Sequence, residues 1–108
     1  MSTPAKNATL SSLAEVDRLI HEPARLAVIA LLYVVESADF IFLMNQTGLT
    51  WGNLSAHMSK LEEAGYIEVV KTFKGKRPNT MLLLTQAGRV AFQTYRQKMK
   101  RVLDGLSE

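Results

Sequence analysis

Gly48 and Gly65 bracket the stretch that most constrains this 108-residue chain, since each ends a helix and the segment between them carries a single apolar stripe. Leu54, Met58 and Leu61 fall at i, i+4 and i+7. Thr50 stands where an N-cap belongs, its hydroxyl placed to accept from the backbone N–H of Gly52 or Asn53. Leu49 is the apolar plug between this helix and the one that Gly48 closes. The opposite face carries Asn53, Ser55, Ala56, Ser59 and Lys60, which are short and mostly uncharged near the helix start. Major-groove reading by the second helix of a pair requires such a lean face, because long side chains hold the backbone away from base edges. An ordinary solvated helix face has the same pattern, so this helix alone leaves both readings open.

Beyond Gly65 the chain becomes extended. Ile67, Val69 and Lys71 alternate with Glu68, Val70 and Thr72, and Asn79 to Leu84 reads as a return strand. The turn between them holds Lys74, Gly75, Lys76, Arg77 and Pro78. With Lys71 this makes four basic residues and no acidic one between positions 71 and 77. A Gly-containing hairpin tip so one-sided in charge points toward phosphate. A helix pair followed by a basic hairpin is a winged helix-turn-helix layout: α+β, mostly α, with a two- or three-stranded β-wing and a long C-terminal helix.

The run G-L-T-x-G-N-L-S-x-H-x-x-K-L-E-x-A-G-Y starting at Gly48, then K-x-F-x-G-K-x-P and L-T-x-x-G, resembles small bacterial and archaeal winged-helix transcriptional regulators related to the MarR and ArsR groups. The upstream stretch Leu19 to Leu26 is similar to the first helix of that family, and the resemblance spans roughly residues 17 to 96. It implies a dimeric regulator of transcription whose second helix of the pair, about 50–64, enters the major groove of double-stranded DNA. By position it puts Thr50, Trp51, Asn53, Ser55, His57, Ser59 and Lys60 on or near the reading helix. Lys74, Lys76 and Arg77 fall on the wing, spanning about 71–79 with Lys71 at its start. The chain departs from some relatives in having no cysteine, so thiolate metal sites and redox thiols are ruled out.

Length and composition set outer limits. The chain reads as one domain, 1–108, large enough for a core without disulfides or metal. The net charge is only +3, so the electrostatic signal is in its distribution: Lys60 to Arg101 holds ten Lys or Arg against Glu62, Glu63 and Glu68. That balance favours a polyanionic partner. The longest apolar run, Leu26 to Val35, is about half of the roughly 20 residues that span a bilayer, and the N-terminus lacks the features of a secretory signal. A cytoplasmic protein with no membrane partner is expected. No cofactor, catalytic residue or metal site is expected either. The glycines form no phosphate loop, and His21 and His57 have no second ligand at useful spacing, so His21 reads as a capping or packing residue.

For the rest of the chain, residues 1–10 are expected to fray, and Leu10, Leu13, Val16 and Ile20 are spaced for a short amphipathic helix. Pro23 suits the first turn of a helix running to Val35 that is apolar on nearly every side, which predicts burial all round or a subunit contact. Ser37, Ala38 and Asp39 break it. Phe40 to Leu43 fits strand or helix by its pattern, and the family resemblance favours a short strand that pairs with the wing, then the first helix of the pair. Trp51 reads equally as a contact to the nucleic acid or as packing. Thr85 caps the last helix, within which Gly88 is tolerated. Phe92, Tyr95, Met99, Val102 and Leu106 follow at steps of 3, 4, 3 and 4, an a/d seam flanked by Arg96, Lys98, Lys100 and Arg101. Self-association is favoured for its distal half, so that Leu13, Ile20, Tyr95, Met99, Val102 and Leu106 are the candidate homodimer residues and 85–106 the dimerisation helix. A small-molecule effector has room between the first helix and that contact, but no polar cluster in the sequence marks a pocket. The second functional reading is a winged-helix module whose basic hairpin meets an acidic protein. The lean helix face discriminates between the two, since a protein-binding module has no need of it.

Overall fold

The computed structural model describes residue 14 and residues 16–106. The expected fraying of residues 1–10 and the candidate contact at Leu13 lie outside the described residues. Helix α1, Pro23–Val35, begins where expected, with Pro23 in its first turn and the Glu22 carboxylate accepting from the Arg25 N–H at 2.8 Å. It ends at Glu36, whose φ of 72° turns the chain into strand β1, Ser37–Asp39. Val28, Ile29 and Leu32 are buried, but burial does not extend all round: Val34 is 77% exposed and Val35 is exposed as well. Leu26, Ala30, Leu31 and Tyr33 pack partly buried against the same core, so among the described residues only the flank of Ala27 and Val34 and the end at Val35 stay open.

The turn between β1 and the next helix corrects one expectation. Phe40 to Leu43 is helical, the first half of α2, Phe40–Thr47, and the short strand lies immediately before it. Two interactions decide this. Asp39 accepts from the Phe42 N–H at 2.6 Å and starts the helix, while Ser37, Ala38 and Asp39 pair antiparallel with Leu83, Leu82 and Met81. The strand that pairs with the wing therefore exists, but it is formed by Ser37–Asp39 rather than by the apolar run.

Helix α3, Trp51–Glu63, follows its predicted pattern. Thr50 accepts from the Asn53 N–H at 3.2 Å, Leu54, Met58 and Leu61 are buried, and Gly48 and Gly65 take φ of 72° and 80° at the two helix ends. Strands β2, Ile67–Lys74, and β3, Arg77–Leu84, form the wing. The return strand begins at Arg77 rather than Asn79, because Lys74 pairs with Arg77 across a two-residue turn in which Gly75 has φ 65°. With β1 the sheet has three antiparallel strands in the order β1-β3-β2.

Helix α4, Gln86–Gly105, is capped by Thr85, whose hydroxyl accepts from the Gly88 N–H at 3.0 Å and donates to the Gly65 carbonyl at 2.6 Å. Phe92 and Tyr95 enter the same core as Ile20, Val28, Ile29, Leu32, Leu43, Leu54, Leu61 and Leu82. The segment from Val16 to Ile20 is a turn, not the end of a helix. The Asp17 carboxylate bonds the N–H groups of Leu19 and Ile20, at 2.9 and 3.3 Å, and accepts from the Tyr66 hydroxyl. That bond, with burial and the Asp17 charge, pushes the Tyr66 phenol up to about 12.

Candidate nucleic-acid interface

Leu54, Met58 and Leu61 point into the core, so helical geometry turns Gly52, Asn53, Ala56, Ser59 and Lys60 outward, and all five are exposed. The predicted reading residues divide accordingly. Asn53, Ser59 and Lys60 share this outer face. Thr50 is exposed, with its hydroxyl engaged as the helix cap. Ser55 is half-buried on the flank facing the wing, where it joins Trp51, Ser59, Glu62, Lys71 and Thr80 around a cleft of about 310 Å³. Ala56 was expected on this face but not as a site residue, and Gly52 was not placed on it. Neither has a functional group to flag it, and the signal for them is their size: on the outer face they let the α3 backbone approach a surface closely.

Trp51 packs, which is one of its two readings. One side of the indole packs on buried Phe40, ring centroids 4.3 Å apart and tilted by 49°, while the side chain remains 56% exposed beside the reading face.

His57 lies on the other flank and faces inward. Its Nδ1 accepts from Arg25 Nη1 at 3.0 Å and lies 3.7 Å from Glu22 Oε1. Arg25 is only 9% exposed, and its Nε donates to the Leu19 carbonyl at 2.5 Å. Desolvation raises the pKa of the Glu22 carboxyl, but the Arg25 N–H and the Arg25 guanidinium charge outweigh it, so the group titrates below its ordinary value. Sequence spacing could not reveal this strut, because it joins α3 to the start of α1 across 32 positions. His57→Ala is expected to lower the unfolding free energy by about 1.5 kcal/mol, since a bond to a charged donor is removed. The salt dependence of polyanion binding should be unchanged. Urea titration and binding at several salt concentrations check both, and a slope lowered by about one would instead make His57 a phosphate contact.

On the wing, the four basic side chains differ in what they do. Lys71 Nζ donates to Thr80 Oγ1 at 3.3 Å, and Lys74 Nζ reaches back to Asp39 Oδ2 at 3.3 Å. The Phe42 N–H, outweighing desolvation, and the Lys74 ammonium hold the Asp39 carboxyl below its ordinary range. Lys76 and Arg77 are exposed at the tip, and among the described residues no hydrogen bond or ion pair engages them. The outer face of α3 is lean in side chains, and the hairpin that flanks its cleft at Lys71 and Thr80 ends in this basic tip.

The candidate dimer residues are placed differently from their spacing. Ile20, Tyr95 and Val102 are buried within the single chain, and Met99 packs against the core. The 3-4 stripe of α4 therefore meets its own core from Phe92 to Met99, while its end at Leu106 is open; regular spacing shows that residues share a face, not what that face meets. Leu106 is 63% exposed, as is Leu103 at 61%, a position the seam did not include. Beside Leu103 a groove of about 830 Å³ runs between α1 and α4, with Leu26, Tyr33, Phe92 and Met99 along it. Tyr33 packs on Phe92 with the rings tilted by 50°, accepts from Gln93 Nε2 at 3.1 Å and lies under the Arg89 guanidinium, 4.7 Å from the ring centroid. Polar groups thus do gather where the sequence marked none. His21 Nδ1 lies 2.8 Å from the Tyr95 hydroxyl, a packing role as expected. Among the described residues there is no group of three potential metal ligands, and no helix is long and apolar enough to cross a membrane.

Comparison with known proteins places this geometry. A family model described as a winged helix DNA-binding domain matches residues 24–103. An uncharacterized protein of Methanocaldococcus jannaschii is 38% identical over 78 residues, covering 72% of this chain and 85% of that protein. Among solved structures, a transcriptional regulator homologue from Pyrococcus horikoshii OT3 superposes with a TM-score of 0.85 at 27% identity, covering 94% of this chain and 99% of that one. The structure of NadR in complex with 4-hydroxyphenylacetate has a TM-score of 0.66 at 20% identity, covering 93% of this chain and 73% of that one; this is a likeness of fold.

Proposed function

The chain belongs to the winged helix DNA-binding domain family, and on that premise we propose that it is a sequence-specific regulator of transcription acting on double-stranded DNA as a homodimer. The observation that carries this reading is the outer face of α3, where Gly52, Asn53, Ala56, Ser59 and Lys60 leave room for base edges, together with the exposed Lys76 and Arg77 of the wing. In this reading α3 lies in the major groove, with Asn53 and Ser59 supplying hydrogen bonds to bases. The wing holds backbone phosphates or enters the minor groove, supplying affinity and its salt dependence. The exposed Leu103 and Leu106 and the groove beside α4 are the surface for the second subunit, and a small-molecule effector would occupy the same groove. The site of action is the cytoplasm, and the chemistry is binding, without catalysis or cofactor.

Selection from randomised duplex DNA at about physiological salt, where purely electrostatic binding is weak, tests this. Enrichment of an inverted repeat with half-sites about 34 Å apart is expected, matched by a dimer mass in light scattering. Loss of all enrichment would overturn the reading in favour of a module for an acidic protein partner.

A further inference from the structure

Phe73 is 71% exposed near the end of β2, although a phenyl ring gains from being covered. Its orientation follows from the strand. Ile67 is buried, Val69 packs against the core and Lys71 lines the cleft beneath α3, and alternate residues of a strand share a face. Phe73 is the next residue on that face, so its ring projects on the α3 side beyond the end of the cleft. Pro78 is its cross-strand partner, and Thr80 and Leu82 continue the same face of β3. In a two-residue hairpin the closing pair, Lys74 and Arg77, exchanges hydrogen bonds and the next pair does not, so Pro78 sits where no N–H is required. The two side chains stand close together as a small, stiff apolar ridge.

The surroundings of this ridge are cationic. Lys71, Lys76 and Arg77 flank it, while Lys74, on the opposite face of β2, is engaged by Asp39 at 3.3 Å. A surface that pairs an aromatic ridge with cations fits a partner that is anionic outside and apolar within, which describes a stacked nucleic-acid duplex.

We propose that Phe73, backed by Pro78, is a wedge that enters the minor groove next to the α3 site, partly unstacks one base step and bends the duplex. The proposal rests on the DNA-binding reading above and adds a deformation to it. Apolar side chains inserted in this way kink DNA by roughly 20–90°. Flexible pyrimidine–purine steps at the wing position would then be preferred without a hydrogen bond to any base.

The test uses the full chain and a duplex of about 30 base pairs, short against the DNA persistence length, with a donor and an acceptor dye at its ends and the selected sequence at its centre. Binding of the unsubstituted protein is expected to raise energy transfer, reporting a bend. Phe73→Ala should abolish that rise and weaken binding about tenfold, with the salt slope unchanged because no cation is removed. Phe73→Leu, which keeps an apolar wedge, should retain most of the bend. Since the ring is exposed, circular dichroism of both variants should match that of the parent. A parent complex that is not bent, or a Phe73→Ala complex bent like the parent, overturns the wedge while the DNA-binding reading stands. Failure of the parent to bind any duplex overturns both.

Discussion

Replacing Lys76 and Arg77 together by Ala is expected to weaken binding to every duplex, matched or unmatched in sequence, by at least about tenfold at physiological salt. It should also reduce the slope of log affinity against log salt by about two, one for each phosphate that is no longer neutralised. These two side chains are the strongest choice because they are exposed at the hairpin tip and, among the described residues, no hydrogen bond or ion pair engages them. Lys74 is the internal control. Its ammonium is 3.3 Å from the Asp39 carboxylate, so a phosphate would have to compete for it, and Lys74→Ala should change the slope less. Fluorescence anisotropy across a salt series measures all three proteins. An unchanged slope in the double variant would remove the wing from the DNA interface.

The largest expected effect on stability is at Gly88. A Cβ built there would lie 2.1 Å from the Tyr66 carbonyl oxygen, 2.8 Å from Leu84 Cδ1 and 2.9 Å from the Tyr66 carbonyl carbon. Two of these three neighbours are backbone atoms, which cannot swing aside as a flexible side chain can. The first turn of α4 is seated directly on the chain between α3 and β2, held by Thr85 N–H to Tyr66 O at 3.1 Å and by the Thr85 hydroxyl to Gly65 O at 2.6 Å. Gly88→Ala must therefore push α4 off this seat and strain the wing root. A loss of about 3 kcal/mol, the upper range for overpacking, is expected, lowering the melting temperature by more than about 10 °C. Thermal unfolding followed by circular dichroism checks this. Gly52→Ala is the comparison: its Cβ would meet nothing within 4 Å, so the fold should accept it. A gain of about 1 kcal/mol in both variants, which is what helix propensity alone predicts for Gly→Ala, would show that the close approach to Tyr66 does not control position 88.

Gly88 also shows how far a sequence can be read. Its place in the L-T-x-x-G run was visible, yet only as a glycine tolerated within a helix. The carbonyl that excludes a side chain there belongs to Tyr66, on another element. His57 is similar: its place on the α3 helix was legible, but its engagement with Arg25 depends on how α1 crosses α3. The boundary between the short strand and the helix that follows it, at Asp39 rather than within Phe40–Leu43, was decided by the Asp39 cap and by the pairing of Ser37–Asp39 with Leu83–Met81.

What the sequence determined by itself is what short-range interactions control. Thr50 and Thr85 as caps, Gly48 and Gly65 as stops, the Leu54, Met58 and Leu61 stripe, and a basic hairpin turning at Gly75 each involve residues a few positions apart, where side-chain type and period are sufficient. Those elements, in their order, already specify a winged helix and its basic wing. Only the tertiary structure decided which way the shared faces turn: the α4 stripe toward its own domain, His57 to Arg25, Lys74 to Asp39, Trp51 onto Phe40, Phe73 outward. Each of these depends on groups brought together by the packing of separate elements, and local spacing carries no record of a neighbour that only folding supplies.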